Sequence, residues 1–190
     1  CCLYRSLYHC DYCILKIWVL VIFSFSNGWW LLIYLSMKKY IPIFLISFLM
    51  GQYNYSLEDI NPSSAYYGSN VGTEFFQGKV TLHYFGHYTW GTCTARFGQL
   101  NQLYSDLKSQ GIPVELIGVG KSSHINYSSA WTNNNDSPVC ADPSPFSTWS
   151  EWGASQRDLF VVDMNGDVAQ HINITGGLPN NLEETILSLV

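Results

Sequence analysis

Positive charge is scarce in this sequence. The 190 residues hold 9 Lys and Arg against 14 Asp and Glu. Beyond Gln52 only Lys79, Arg96, Lys108, Lys121 and Arg157 remain, against thirteen carboxylates, a net charge of −8 (5 − 13). With no basic patch, nucleic acid is not expected as a partner. Cysteine is equally sparse in that region, where Cys93 and Cys140 stand alone. No dinucleotide-binding motif, metal-ligand cluster or Ser/His/Asp arrangement stands out, so neither a cofactor nor a metal is expected. Cys10 and Cys13 are spaced C-x-x-C near the start. A zinc site would need a second such pair, and a redox site would need a strand before it and a helix after it. Cys1, Cys2, Cys10 and Cys13 are therefore given no functional role.

Apolar residues, by contrast, are abundant and unevenly placed. Hydrophobic side chains make up 47% of the chain and charged ones 12%, and residues 1–50 are almost continuously apolar. The chain opens on Cys1, whereas Met37-Lys-Lys-Tyr-Ile-Pro-Ile-Phe-Leu-Ile-Ser-Phe-Leu-Met-Gly51 has the layout of a secretory signal: a short cationic start, then an apolar run. Three parts are expected. Residues 1–36 are either upstream sequence that is not translated or a membrane segment, since Ile14–Ser36 is long and apolar enough to span. Residues 37–51 are a signal peptide or anchor, and residues 52–190 are an exported globular domain. A membrane is expected to be met only through the N-terminal segment.

In the globular part, Lys79–Phe85 reads as a central strand. Phe97, Leu100, Tyr104 and Leu107 recur at three- and four-residue steps, which predicts a helix over Cys93–Gln110. Gly111 closes it at the usual C-cap position. Pro113–Val119 follows as a strand parallel to the first, because a helix separates them. Ser56–Gln77 reads as an extended approach segment with at most a short strand, and Ser122–Trp152 as irregular with one or two short helices. Asp158–Asp163 is a third strand. The turn Met164-Asn165-Gly166-Asp167 leads into a fourth at Val168–Ile174. Asn180–Val190 is a closing helix with Glu183 and Glu184 in its first turn, matching the helix dipole. The order β-α-β, insert, β-hairpin-β-α predicts an α/β fold with a central mixed sheet of four or slightly more strands flanked by helices.

The chemistry concentrates where the first strand meets the first helix, at Trp90-Gly-Thr-Cys93. A thiol in the first turn of a helix faces unsatisfied N–H groups and the positive end of the dipole, which favour a thiolate. A dithiol site would carry a second cysteine three positions earlier, where this sequence has Trp90. With the Asp158-Leu-Phe-Val-Val-Asp strand and the Asn-Gly turn, residues 58–190 resemble the thioredoxin-like redoxins. Ser137-Pro138-Val139, Trp149 and Gly177-Leu178-Pro179 extend the likeness to the N-terminal domain of selenoprotein P and related secreted and bacterial proteins. The resemblance implies a thioredoxin-like fold, a thiol–disulfide or peroxide substrate, and an attacking selenocysteine or cysteine at position 90. Selenocysteine is encoded by UGA, which some translation tables read as tryptophan. Trp90 is accordingly taken as the catalytic position, with Cys93 as its resolving thiol.

Around this pair, Arg96 and His87 are candidate supporting residues, and His83 is a third group placed to tune Cys93. Cys140 is a candidate partner of Cys93, structural or resolving. Arg157 falls near the place where thioredoxin folds carry a cis-proline, and no proline stands there. Three functions follow: an exported thiol or selenol oxidoreductase using residue 90 with Cys93, a catalytically inactive thioredoxin-like binding module with a genuine Trp90, or a peroxiredoxin-like enzyme using Cys93 and Cys140.

Overall fold

The alternation Val-Thr-Leu-His-Tyr-Phe decides the middle of the molecule. In the computed structural model, which describes residues 53–190, this run is the strand β3 (Val80–Phe85), buried on both faces. Strands β1 (Leu57–Glu58) and β2 (Asn70–Val71) precede it as a small antiparallel pair. Strands β4 (Val114–Lys121), β5 (Val139–Asp142), β6 (Asp158–Val162) and β7 (Val168–Asn173) complete a sheet of order β5-β4-β3-β6-β7. β4 runs parallel to β3 from the Val80–Val114 pair to the Phe85–Val119 pair, and β5 runs parallel to β4. β6 is antiparallel to β3, and β7 to β6.

Period-two alternation sorts the side chains into two cores. Val80, Leu82, Tyr84, Leu116, Leu159 and Val161 meet the helix α1 (Gly91–Ser109) through Phe97, Leu100, Tyr104 and Leu107. The closing helix α4 (Leu182–Leu187) adds Leu182 and Ile186 to the same core. The opposite face carries Phe85, Ile117, Val119, Phe160 and Val162, covered by Tyr55, Phe76, Trp149 and Trp152. Between β4 and β5 lie a 3₁₀ segment (Ser122–Tyr127) and the short helix α2 (Ser129–Thr132), whose Trp131 is buried flat against Phe97, 4.7 Å between centroids. Helix α3 (Ser147–Glu151) follows β5.

The mixed sheet and its flanking helices stand as expected, with strand ends within one or two residues. Two elements differ. The insert read as irregular contains β5, four residues between Pro138 and Pro143 and too short for periodicity to reveal. The approach segment does more than lead in: the Ile60 N–H donates to the Val139 carbonyl at 2.8 Å, and Asp59 bridges Cys140. It therefore covers the open edge of β5, which would otherwise present unpaired backbone groups. The expected signal segment and everything before it lie outside the described residues. Among those described, no helix is long and apolar enough to cross a membrane.

Candidate functional site

The loop from β3 to α1 is fixed at one residue and exposed at the next. Tyr88 is fully buried, and its hydroxyl donates to the Cys140 carbonyl at 2.6 Å. Its ring lies on Gly120 so closely that a Cβ there would stand 2.2 Å from Cζ. From this anchor the chain turns outward to Trp90, which is 47% exposed at the loop tip. Trp90 is the N-cap residue of α1, in extended conformation, and no side chain caps the helix. Serine, threonine, aspartate or asparagine would ordinarily offer an oxygen there; indole offers none. Cys93 is the third helical residue and is completely buried. Tyr84 ties the first turn to β3 by donating its hydroxyl to the Cys93 carbonyl at 3.1 Å.

Arg157 closes the site from the other side of the chain. It sits just before β6 with φ +70°, its N–H donating to the Phe85 carbonyl at 2.7 Å and its carbonyl accepting from Ile174 at 2.8 Å. This backbone position joins the end of β3 to the segment after β7. The guanidinium places Nη1 3.8 Å from Cys93 Sγ and its carbon 5.8 Å from the Trp90 ring centroid. One cation thus touches both members of the expected pair. Trp90 in turn stacks on His87, 5.2 Å between centroids at 19°, and His87 lies 3.9 Å from the His124 ring. His87 Nδ1 accepts the Thr89 N–H at 3.2 Å, which puts the proton of the neutral ring on Nε2. Burial, then the charges of His124 and Lys121, hold this imidazole below its usual range.

Three expectations require correction. His83 does not tune Cys93. It lies mid-strand on the opposite face, fully buried, bonded to the Tyr55 hydroxyl at 2.7 Å and the Thr81 hydroxyl at 2.8 Å. Desolvation lowers its pKa to about 3. Arg96 also faces away from the sulfur: Nε and Nη2 donate to the carbonyls of Ile174 and Thr175 at 2.9 and 3.0 Å, and Nη1 to Gln99. Cys140 belongs to the core across the sheet from Cys93, and both thiols are free. Burial, then the charge of Asp59, pushes the Cys140 thiol well above its ordinary range. The expected Cys93–Cys140 pairing is therefore not made in this fold. The residues that complete the site and were not assigned to it are Arg157, Tyr88 and His124. The one signal was Arg157, standing immediately before a strand.

No family model and no curated protein sequence matches the chain. Solved structures do. The chain is similar to dsbF from MTB, with a TM-score of 0.58 at 19% identity over 73% of this chain and 97% of that one. A thioredoxin-like protein from Bacteroides vulgatus gives 0.57 at 19% identity, over 72% and 84% of the two chains. A secreted disulfide oxidoreductase of Mycobacterium tuberculosis homologous to E. coli DsbE gives 0.55 at 14% identity, over 73% and 98%. The chain has the thioredoxin-like fold, a mixed five-stranded sheet flanked by helices.

Proposed function

We propose that the chain is an exported thiol- or selenol-disulfide oxidoreductase working through position 90 and Cys93, with selenocysteine at position 90 in the selenoprotein P-like form. The observation that carries this reading is that the two positions are the N-cap and third residue of one helix, with a single guanidinium against both. A selenolate or thiolate at the N-cap would supply the acceptor that indole lacks, and would face the free N–H groups of the first turn. In the cycle, the anion at position 90 attacks one sulfur of a substrate disulfide, and the other sulfur leaves as a thiolate. Cys93 then attacks the position-90 atom, releasing the second substrate thiolate and leaving a bond between 90 and 93. An external dithiol returns two electrons and two protons. Export is supported by the signal-like run Met37–Gly51 and by the secreted character stated for one structural neighbour.

The test is Trp90→Cys. The variant should form a 90–93 disulfide under mild oxidation and reduce a model disulfide with dithiothreitol as reductant, while the chain as written stays nearly inactive. Failure to form that bond removes the reading. The codon for position 90 decides the selenocysteine form separately: UGG ends it.

A second reading has its own observation, the complete burial of Cys93. With tryptophan genuine, the chain is a redox-silent binding module. Cys93 would then resist alkylation until the protein is unfolded.

A further inference from the structure

The few cations are segregated. Lys79 is held by Glu115 at 2.6 Å, and Lys108 reaches Tyr104, which donates to the same Glu115. Both belong to the end of the sheet away from Cys93. The other three form a rim at the end of the sheet where β3 runs into α1. Arg96 donates to the Thr175 carbonyl and Arg157 Nε to the Thr175 hydroxyl at 2.8 Å. Arg157 reaches the Trp90 ring, Trp90 stacks on His87, and His87 meets His124. Lys121, three residues before His124, seats its ammonium over the Phe146 and Trp149 rings, 5.0 and 4.7 Å from their centroids, and its charge adds to the lowering at His87.

Among the described residues, Arg96, Lys121 and Arg157 have no carboxylate within ion-pair distance, although thirteen carboxylates share the domain. Asp142 is the strand neighbour of Lys121, but it is buried, with Oδ2 accepting the Trp149 N–H at 3.0 Å. Within the rim, Trp90 presents 47% of its surface to solvent. Positive charge with no carboxylate partner beside an exposed aromatic ring is a docking surface for carboxylates with an apolar neighbour.

We infer that the substrate of this site is an acidic polypeptide segment, a disulfide flanked by Asp or Glu and an apolar residue. The inference rests on the oxidoreductase reading and narrows it to a substrate class. Two electrostatic effects oppose each other here. The domain as a whole carries −8 and repels acidic partners, while the rim attracts them. At physiological ionic strength the screening length is about 8 Å, so distant carboxylates are damped and contacts at the rim win. At 10 mM salt it is about 30 Å, and the charge of the whole molecule enters. At 1 M it is about 3 Å, and both effects fade.

The experiment uses the full chain and two disulfide peptides with the same apolar residues, one with Asp and Glu and the other with Lys flanking the cystine. With Trp90→Cys as catalyst, the acidic peptide should be reduced with kcat/KM about tenfold higher at 0.15 M salt. The ratio should shrink at both 10 mM and 1 M. Lys121→Gln should remove a large part of it, and the salt series needs no second substitution. Equal rates, or a preference for the Lys peptide, overturn the inference and leave the oxidoreductase reading intact. Serine analogues of both peptides, which cannot react, are titrated against the chain as written. If neither disulfide is reduced but the acidic analogue still binds more tightly, the redox reading falls and the docking surface stands. Equal binding of the two analogues removes it.

Discussion

Tyr88 holds the loop between β3 and α1 because only hydrogen fits beneath its ring at Gly120. A methyl group there would meet Tyr88 Cζ at 2.2 Å, well inside contact distance. Gly120→Ala must therefore drive a fully buried aromatic ring from its place and release its hydrogen bond to the Cys140 carbonyl. Loss of a packed aromatic costs about 3–5 kcal/mol. Urea denaturation should show an unfolding free energy lowered by that amount, through a lower midpoint with little change in slope. Tyr88→Phe keeps the ring and deletes only the donor, so its cost should be nearer 1–2 kcal/mol. Comparable losses for the two variants would mean that the hydrogen bond, and not the ring, fixes the loop. The same anchoring gives Trp90 its position: one residue is locked into the core so that another, two positions on, is held at the tip.

The elements differ in how plainly the sequence announces them, and the reasons are physical. Helix α1 was legible because Phe97, Leu100, Tyr104 and Leu107 must all meet one sheet face, and all are buried there. Its start was misplaced by two residues because Trp90 carries no capping oxygen, so the usual signal of a helix beginning is missing. β3, β4 and β6 were legible as apolar runs, which the fold buries on both faces, and β7 from the Asn165-Gly166 turn that leads into it. β5 was hidden by its length and by flanking prolines; its pairing depends on β4, a partner about twenty residues distant in the chain. For the helix, Leu100→Ala should leave a cavity between α1 and the sheet and cost about 2–5 kcal/mol. A loss below 1 kcal/mol, measured by thermal or urea unfolding, would show that the helix does not depend on that contact.

At the scale of the whole molecule the sheet is a partition, and that explains which parts of the site could be read. Trp90 and Cys93 are three residues apart, so local spacing revealed them. Arg157 reaches Cys93 across 64 positions of sequence, which only the folded sheet brings together. His83 was misassigned because its sequence nearness to the loop outweighed its strand parity. It alternates with Leu82 and Tyr84 and so faces the core that Cys93 does not enter. That placement predicts how stability depends on pH. His83 is buried and neutral, with a folded pKa of about 3 against an ordinary 6.5. Above pH 6.5 neither state binds the proton, and its contribution is flat. As pH falls from 6.5 toward 3 the unfolded chain takes up a proton that the folded chain refuses, so stability falls with acidity. The full loss, reached only near pH 3, is at most about 5 kcal/mol. Urea midpoints at pH 7.0, 5.5 and 4.5 should therefore decline stepwise. His83→Gln, which keeps polar atoms near Tyr55 and Thr81, should flatten the slope across that window while shifting the pH 7.0 value on its own account. An unchanged slope in the variant would place the acid sensitivity elsewhere and reject a buried neutral imidazole at the centre of the sheet.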